Sequence, residues 1–155
     1  GHAVLRARMH VGHEPFAVLL GDDIIEGGGA LLQRMIEVHQ RTGASVVALM
    51  EVPESQVSLY GIAASEPTED PDLVRVTELV EKPPVERAPS RLAIVGRYLL
   101  RPEVFEVLEQ TVAQLAIRGR RKMVSGFEEM RDLAEYPGTP LCCPADHHGI
   151  GTRIL

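Results

Sequence analysis

Six residues from Pro15 to Leu20 are apolar, and Gly21-Asp22-Asp23 follows at once. An unbroken apolar run of this length suits a strand buried on both faces, as in a parallel sheet covered by helices. Before it, Gly1 to Val11 reads as a short helix with Val4, Leu5 and Met9 on one side. After it, Gly27-Gly28-Gly29 reads as a flexible joint. Leu31, Leu32, Met35, Ile36 and His39 then recur at helical spacing across Ala30 to Thr42, and Gly43 supplies the stop. Ala44 to Val52 is a second apolar strand, so the pattern predicts a βαβ unit with a right-handed crossover.

Further along, Pro53 to Ser58 reads as a linker, Tyr60 to Ala64 as a short apolar segment, and Ser65 to Asp72 as an acidic loop. Val74 to Val80 alternates apolar with polar, which is strand-like, and Pro83-Pro84 stops it because proline donates nothing to a ladder. Leu92 to Leu100 reads as another buried strand. Pro102 suits the first position of a helix whose inner side is Val104, Phe105, Leu108 and Val112. Beyond Val112 the pattern fades. Arg118 to Lys122 is basic, Glu128 to Glu135 reads as a short helix, and the rest is rich in Pro, Gly and His.

Composition narrows the classes. A chain of 155 residues fits one domain or part of a larger one. Apolar content of 45% with 25% charged residues matches an ordinary soluble protein. The net charge of -6, without a basic stripe, argues against nucleic acid as a partner. No apolar run approaches the roughly 18 residues of a membrane span. The start has charges where a signal peptide needs an apolar core. Cys142 and Cys143 are adjacent and alone, which predicts a reducing, cytoplasmic setting; with His147 and His148 they match no zinc spacing.

Two stretches carry candidate chemistry. Asp22 and Asp23 close the first strand, where open α/β sheets bind ligands. A carboxylate there either holds Mg²⁺, which bridges to substrate phosphates, or caps a solvated turn. Glu81 and Lys82 close a later strand. Either Glu81 accepts hydrogen bonds from sugar hydroxyls while Lys82 meets a phosphate as a point charge, or the two form a surface pair. Glycine at Tyr60-Gly61 and Val95-Gly96 allows close backbone approach to a ligand, or merely a bulge.

In order, Gly1-His-Ala3, Leu19-Leu-Gly-Asp-Asp23, Tyr60-Gly61, Val80-Glu-Lys-Pro83 and Ala88-Pro-Ser-Arg-Leu-Ala-Ile-Val-Gly-Arg-Tyr-Leu99 resemble the bacterial UTP–glucose-1-phosphate uridylyltransferases. The resemblance covers roughly residues 1 to 111, with 112 to 155 a divergent tail. It implies a Rossmann-like α/β nucleotidyltransferase fold with a mostly parallel mixed sheet, lacking an amino-terminal βαβ portion. It implies an Mg²⁺-dependent reaction of UTP with glucose 1-phosphate to give UDP-glucose and pyrophosphate, by positioning and electrostatics. It implies Asp22 as the metal ligand and Lys82 on the sugar phosphate. Glu81 falls to the glucose hydroxyls, the backbone at Tyr60-Gly61 and Val95-Gly96 to the sugar pocket, and Gly1 and His2 to the nucleotide side. A homo-oligomer remains open.

The departures shape the expectation. No glycine-rich triphosphate loop precedes Gly1, and Arg91 stands where the family has Asn. A second metal-binding Asp is not recognisable after Thr111, which suggests a frame-shifted or divergent tail. The expectation is therefore a chain of low activity. A related dTTP-using enzyme and a non-catalytic sugar-phosphate-binding fragment are the alternatives.

Overall fold

A computed structural model describes residues 1–26, 28–117, 141–142, 144–145 and 152–154. The amino-terminal helix is two short ones, α1 (His2–Arg6) and α2 (Arg8–Val11), followed by β1 (Phe16–Leu19). Helix α3 (Gly28–Thr42) leads to β2 (Val46–Glu51), and a 3₁₀ turn (Glu54–Leu59) to β3 (Gly61–Pro67) and β4 (Val74–Glu81). A second 3₁₀ turn (Val85–Arg87) precedes β5 (Leu92–Leu100), which feeds α4 (Val104–Ile117). Short segments β6 (Leu141–Cys142), β7 (Pro144–Ala145) and β8 (Thr152–Ile154) complete the sheet. The basic cluster, the Glu128–Glu135 segment, Cys143, His147 and His148 lie outside the described residues.

Strand β5 is the hub. β1 pairs with it antiparallel, Phe16 opposite Leu100 and Leu19 opposite Arg97. β2 pairs with it antiparallel on the other side, and β3 joins it at Ile62 and Ala93. The expectation of a mostly parallel sheet is corrected: among the described pairings only β2 with β6 is parallel. The reason is that β5 runs against both strands of the βαβ unit. β1 and β2 point the same way but never touch, because β5 fills the space between them.

Helix α3 lays Leu31, Met35 and Val38 on Val46, Ala48, Val95 and Leu99. Val38 replaces Ile36 on the buried stripe, and Ile36 is 38% exposed. Gly28 and Gly29 open this helix rather than forming a joint. Gly43, at φ +68°, ends it in the left-handed region that glycine occupies without penalty. On the opposite face, α4 packs Val104, Phe105 and Leu108 against Leu100, with Val4, Leu5, Phe16, Val18 and Tyr98 around them. The rings of Phe16 and Phe105 stack at 5.0 Å. Val112, read as on the inner side of its helix, is exposed, and so is Met9.

β1 is not buried on both faces. Phe16 and Val18 turn towards α4, whereas Ala17 and Leu19 are exposed, because β1 borders only β5 and has α4 on one side alone. The predicted linker at Pro53 to Ser58 is a 3₁₀ turn anchored by buried Val57. β3 runs on into the start of the predicted acidic loop, as far as Pro67. Pro102 lies in the turn ahead of α4, where its carbonyl accepts from Phe105 N–H at 3.1 Å.

Candidate functional site

The site lies along one edge of β5. β2 occupies the other edge, so β1 and β3 share this one. β1 covers Arg97 to Leu100 and β3 reaches only Ala93, which leaves Ile94, Val95 and Gly96 in a gap between them. Both candidate stretches border this gap. Gly21-Asp22-Asp23 leaves the end of β1 on one side. On the other, Gly61 stands opposite Glu81 in the β3–β4 ladder, and Lys82 N–H donates to the Tyr60 carbonyl at 3.0 Å.

Register with β2 slips at this place. Val47 is opposite Tyr98, yet Ala48 is opposite Val95, so Gly96 and Arg97 bulge from the β2 ladder. Bulges re-aim backbone groups beside sites. Here Gly96 C=O accepts from Leu20 N–H at 2.8 Å, and Gly96 N–H donates to the Asp23 carboxylate, also at 2.8 Å. Glycine is required: a Cβ at Gly96 would lie 2.6 Å from Leu20 Cβ and against the Asp23 carboxylate. Arg97 closes the loop from outside, its guanidinium donating to the carbonyls of Leu20, Gly96 and Asp23.

Asp22 is exposed, Asp23 and Glu81 half-buried, and Lys82 exposed. Gly61, Val95 and Gly96 are buried and Tyr60 half-buried. Their electrostatics meet at Tyr98, whose phenol is pushed up to about 12. Burial is the main cause, followed by the negative charges of Asp23, Glu81 and Asp22. Carboxylates from two separate strand ends thus act on one hydroxyl. Lys82 has φ +44° and is the only described residue other than glycine in the left-handed region. Such strain collects at functional sites. Gly1 caps α1 and His2 is exposed on its first turn, so both belong to the helix pair covering Phe16 and Val18. Arg91 turns to Glu51 on β2 as an exposed ion pair.

Among the described residues no three His, Cys, Asp or Glu side chains gather as a metal cage. Mg²⁺ needs none, since it takes one or two carboxylates plus substrate phosphates and keeps several waters. An exposed Asp22 carboxylate, with no described side chain in a hydrogen bond or ion pair to it, fits that donor set. Sequence reasoning gave Asp23 no firm role and passed over Arg97 and Tyr98. Only Gly96-Arg-Tyr98 as a unit hinted at them.

The family model described as nucleotidyl transferase matches residues 1–132. A UTP–glucose-1-phosphate uridylyltransferase of Pseudomonas aeruginosa is 45% identical over 113 residues, covering 72% of this chain and 40% of that protein. A crystal structure of apo UDP-glucose pyrophosphorylase superposes with a TM-score of 0.76 at 33% identity, covering 90% of this chain and 50% of the other. A UDP-glucose pyrophosphorylase complexed with UDP-glucose gives 0.73 at 32% identity, covering 90% and 51%. The chain thus spans about 40% of the length of that curated relative.

Proposed function

The chain belongs to the nucleotidyl transferase family, and on that premise we propose that it carries the sugar-phosphate side of a site joining UTP to glucose 1-phosphate. In that reaction an oxygen of the sugar phosphate attacks the α-phosphorus of UTP. The bond from the α-phosphorus to the oxygen bridging the β-phosphate breaks, and pyrophosphate leaves with its electron pair. UDP-glucose remains. The protein needs no covalent step of its own.

The observation that supports this reading is the meeting of Asp22, Asp23 and Glu81 around the Val95–Gly96 gap, reported by Tyr98. Lys82 directs its ammonium at the sugar phosphate as a point charge. Glu81 accepts from glucose hydroxyls, and the backbone at Tyr60-Gly61 and Val95-Gly96 lines the sugar. Gly96 contributes its missing side chain, since Asp23 takes its N–H. Gly1 and His2 stand on the nucleotide side. Asp22 is the residue to hold Mg²⁺, which when bound offsets charge on the phosphates. No described helix is long and apolar enough to cross a membrane, and a cytoplasmic setting agrees with free sugar phosphate as substrate.

Calorimetry of the chain with glucose 1-phosphate and with UDP-glucose, in Mg²⁺, tests the reading. Binding of either ligand should weaken at least tenfold in Lys82→Ala and in Glu81→Gln. No heat with either ligand would refute it, as would variants that bind like the parent. Because the chain spans about 40% of that relative, a second reading is a half-site that binds without turnover. UDP-glucose formation from UTP in the same mixture separates the two.

A further inference from the structure

We infer that Arg97 is a positioning residue that sets the geometry of Asp22 through the backbone on either side of it. Three carbonyls converge on one guanidinium. Nη1 takes Leu20 O at 3.1 Å and Gly96 O at 2.9 Å, and Nη2 takes Asp23 O. The first and last of these carbonyls belong to residues that bracket Gly21-Asp22. Within the loop itself, Asp23 N–H reaches Leu20 O at a long 3.4 Å.

Asp23 completes the clamp from the other direction. Its carboxylate accepts from Gly96 N–H at 2.8 Å, while Gly96 C=O accepts from Leu20 N–H. The bulge at Gly96 and Arg97 makes this geometry available, since neither residue pairs with β2. Asp23 and Arg97 are therefore held half-buried against the scaffold, whereas Asp22 is exposed. A planar guanidinium serves three acceptors at fixed angles, which an ammonium on a flexible stem does not. Supporting contacts of this kind commonly change metal affinity by about 10–100-fold.

The inference rests on Asp22 being the cation ligand, and the test keeps the two apart. Mn²⁺ replaces Mg²⁺ as the probe, and free Mn²⁺ is followed by electron paramagnetic resonance with the full chain. Removing a positive charge near a carboxylate should by itself tighten cation binding. The clamp predicts the reverse: Arg97→Ala weakens Mn²⁺ at least tenfold, and Arg97→Lys, with its charge kept, weakens it too. Amide exchange in the β3–β4 ladder should match the parent in both. Mn²⁺ bound by Arg97→Ala as tightly as by the parent, or more tightly, overturns the inference. If Arg97→Ala does not fold, Arg97→Lys decides, with affinity within twofold of the parent as the overturning result. Independently, Asp23→Ala, which removes the acceptor of the Gly96 N–H, should speed exchange of the Gly96 amide at least tenfold, and unchanged exchange would count against the clamp. If Asp22→Asn leaves Mn²⁺ binding unaltered, the metal assignment fails, and the Gly96 exchange alone judges the clamp.

Discussion

Replacing Lys82 by glycine should make the protein more stable while removing its hold on phosphate. At φ +44°, the Lys82 Cβ crowds the neighbouring carbonyl, a conformation that costs about 1–2 kcal/mol per residue with a side chain. The following Pro83, itself buried, would ordinarily push Lys82 into extended backbone, which adds to the constraint. Lys82 is exposed, so truncation forfeits little packing, and its N–H still reaches the Tyr60 carbonyl. Against the gain stands the greater freedom of glycine in the unfolded chain, about 0.5–1 kcal/mol. The net is a stabilisation of roughly 0.5–1 kcal/mol, or about 1–4 °C in Tm for a chain of this size. Alanine is the control, because it keeps the Cβ and the strain. Thermal unfolding followed by circular dichroism should rank Lys82→Gly above both the parent and Lys82→Ala. Calorimetry should show both variants equally poor with glucose 1-phosphate. If the glycine and alanine variants melt together, the left-handed backbone is wrong and the argument from strain falls with it.

Two further outcomes follow from the same region. Absorbance at 295 nm should show one tyrosine titrating near 12, and Glu81→Gln should lower that value by removing a negative neighbour. Because the folded protein keeps this proton longer than the unfolded chain, Tyr98 contributes its full stabilisation below the unfolded pKa of about 10. That contribution is lost as pH rises towards 12, so stability should decline across this window, and less steeply in Tyr98→Phe. Gly96→Ala should destabilise by about 1–3 kcal/mol, the usual cost of overpacking, because the added methyl meets Leu20 Cβ. A melting temperature equal to the parent's would show that the Gly21–Asp23 loop yields freely.

Much of the scaffold was legible from residue pattern. Strand β5 occupies the whole span its apolar run predicted, and β4 follows its alternation as far as Glu81. Helical periodicity found α3, although an i, i+4 stripe leaves one step of rotation open, and Val38 rather than Ile36 won the inner place. Periodicity assigns faces and says nothing of neighbours. The insertion of β5 between β1 and β2 therefore lay beyond it, and with it the antiparallel character of the sheet. Asp22 and Glu81 drew notice as carboxylates closing strands, a place that serves ligands and equally suits turn caps and surface pairs. Arg97 was not, since its partners are backbone carbonyls that every residue possesses. The twist at Lys82 was hidden for a similar reason: lysine before proline normally predicts extended backbone.

The central position of β5 has a consequence for how the chain is made. A strand made after β1 to β4 supplies the partner that β1, β2 and β3 all require, with Phe16 waiting for Leu100. Until then the β3–β4 hairpin is the one described ladder whose two strands have both been made. Nascent polypeptide ending before Leu92 should accordingly stay open to proteases across β1 and β2, and closure should be a slow event governed by distant ends finding each other.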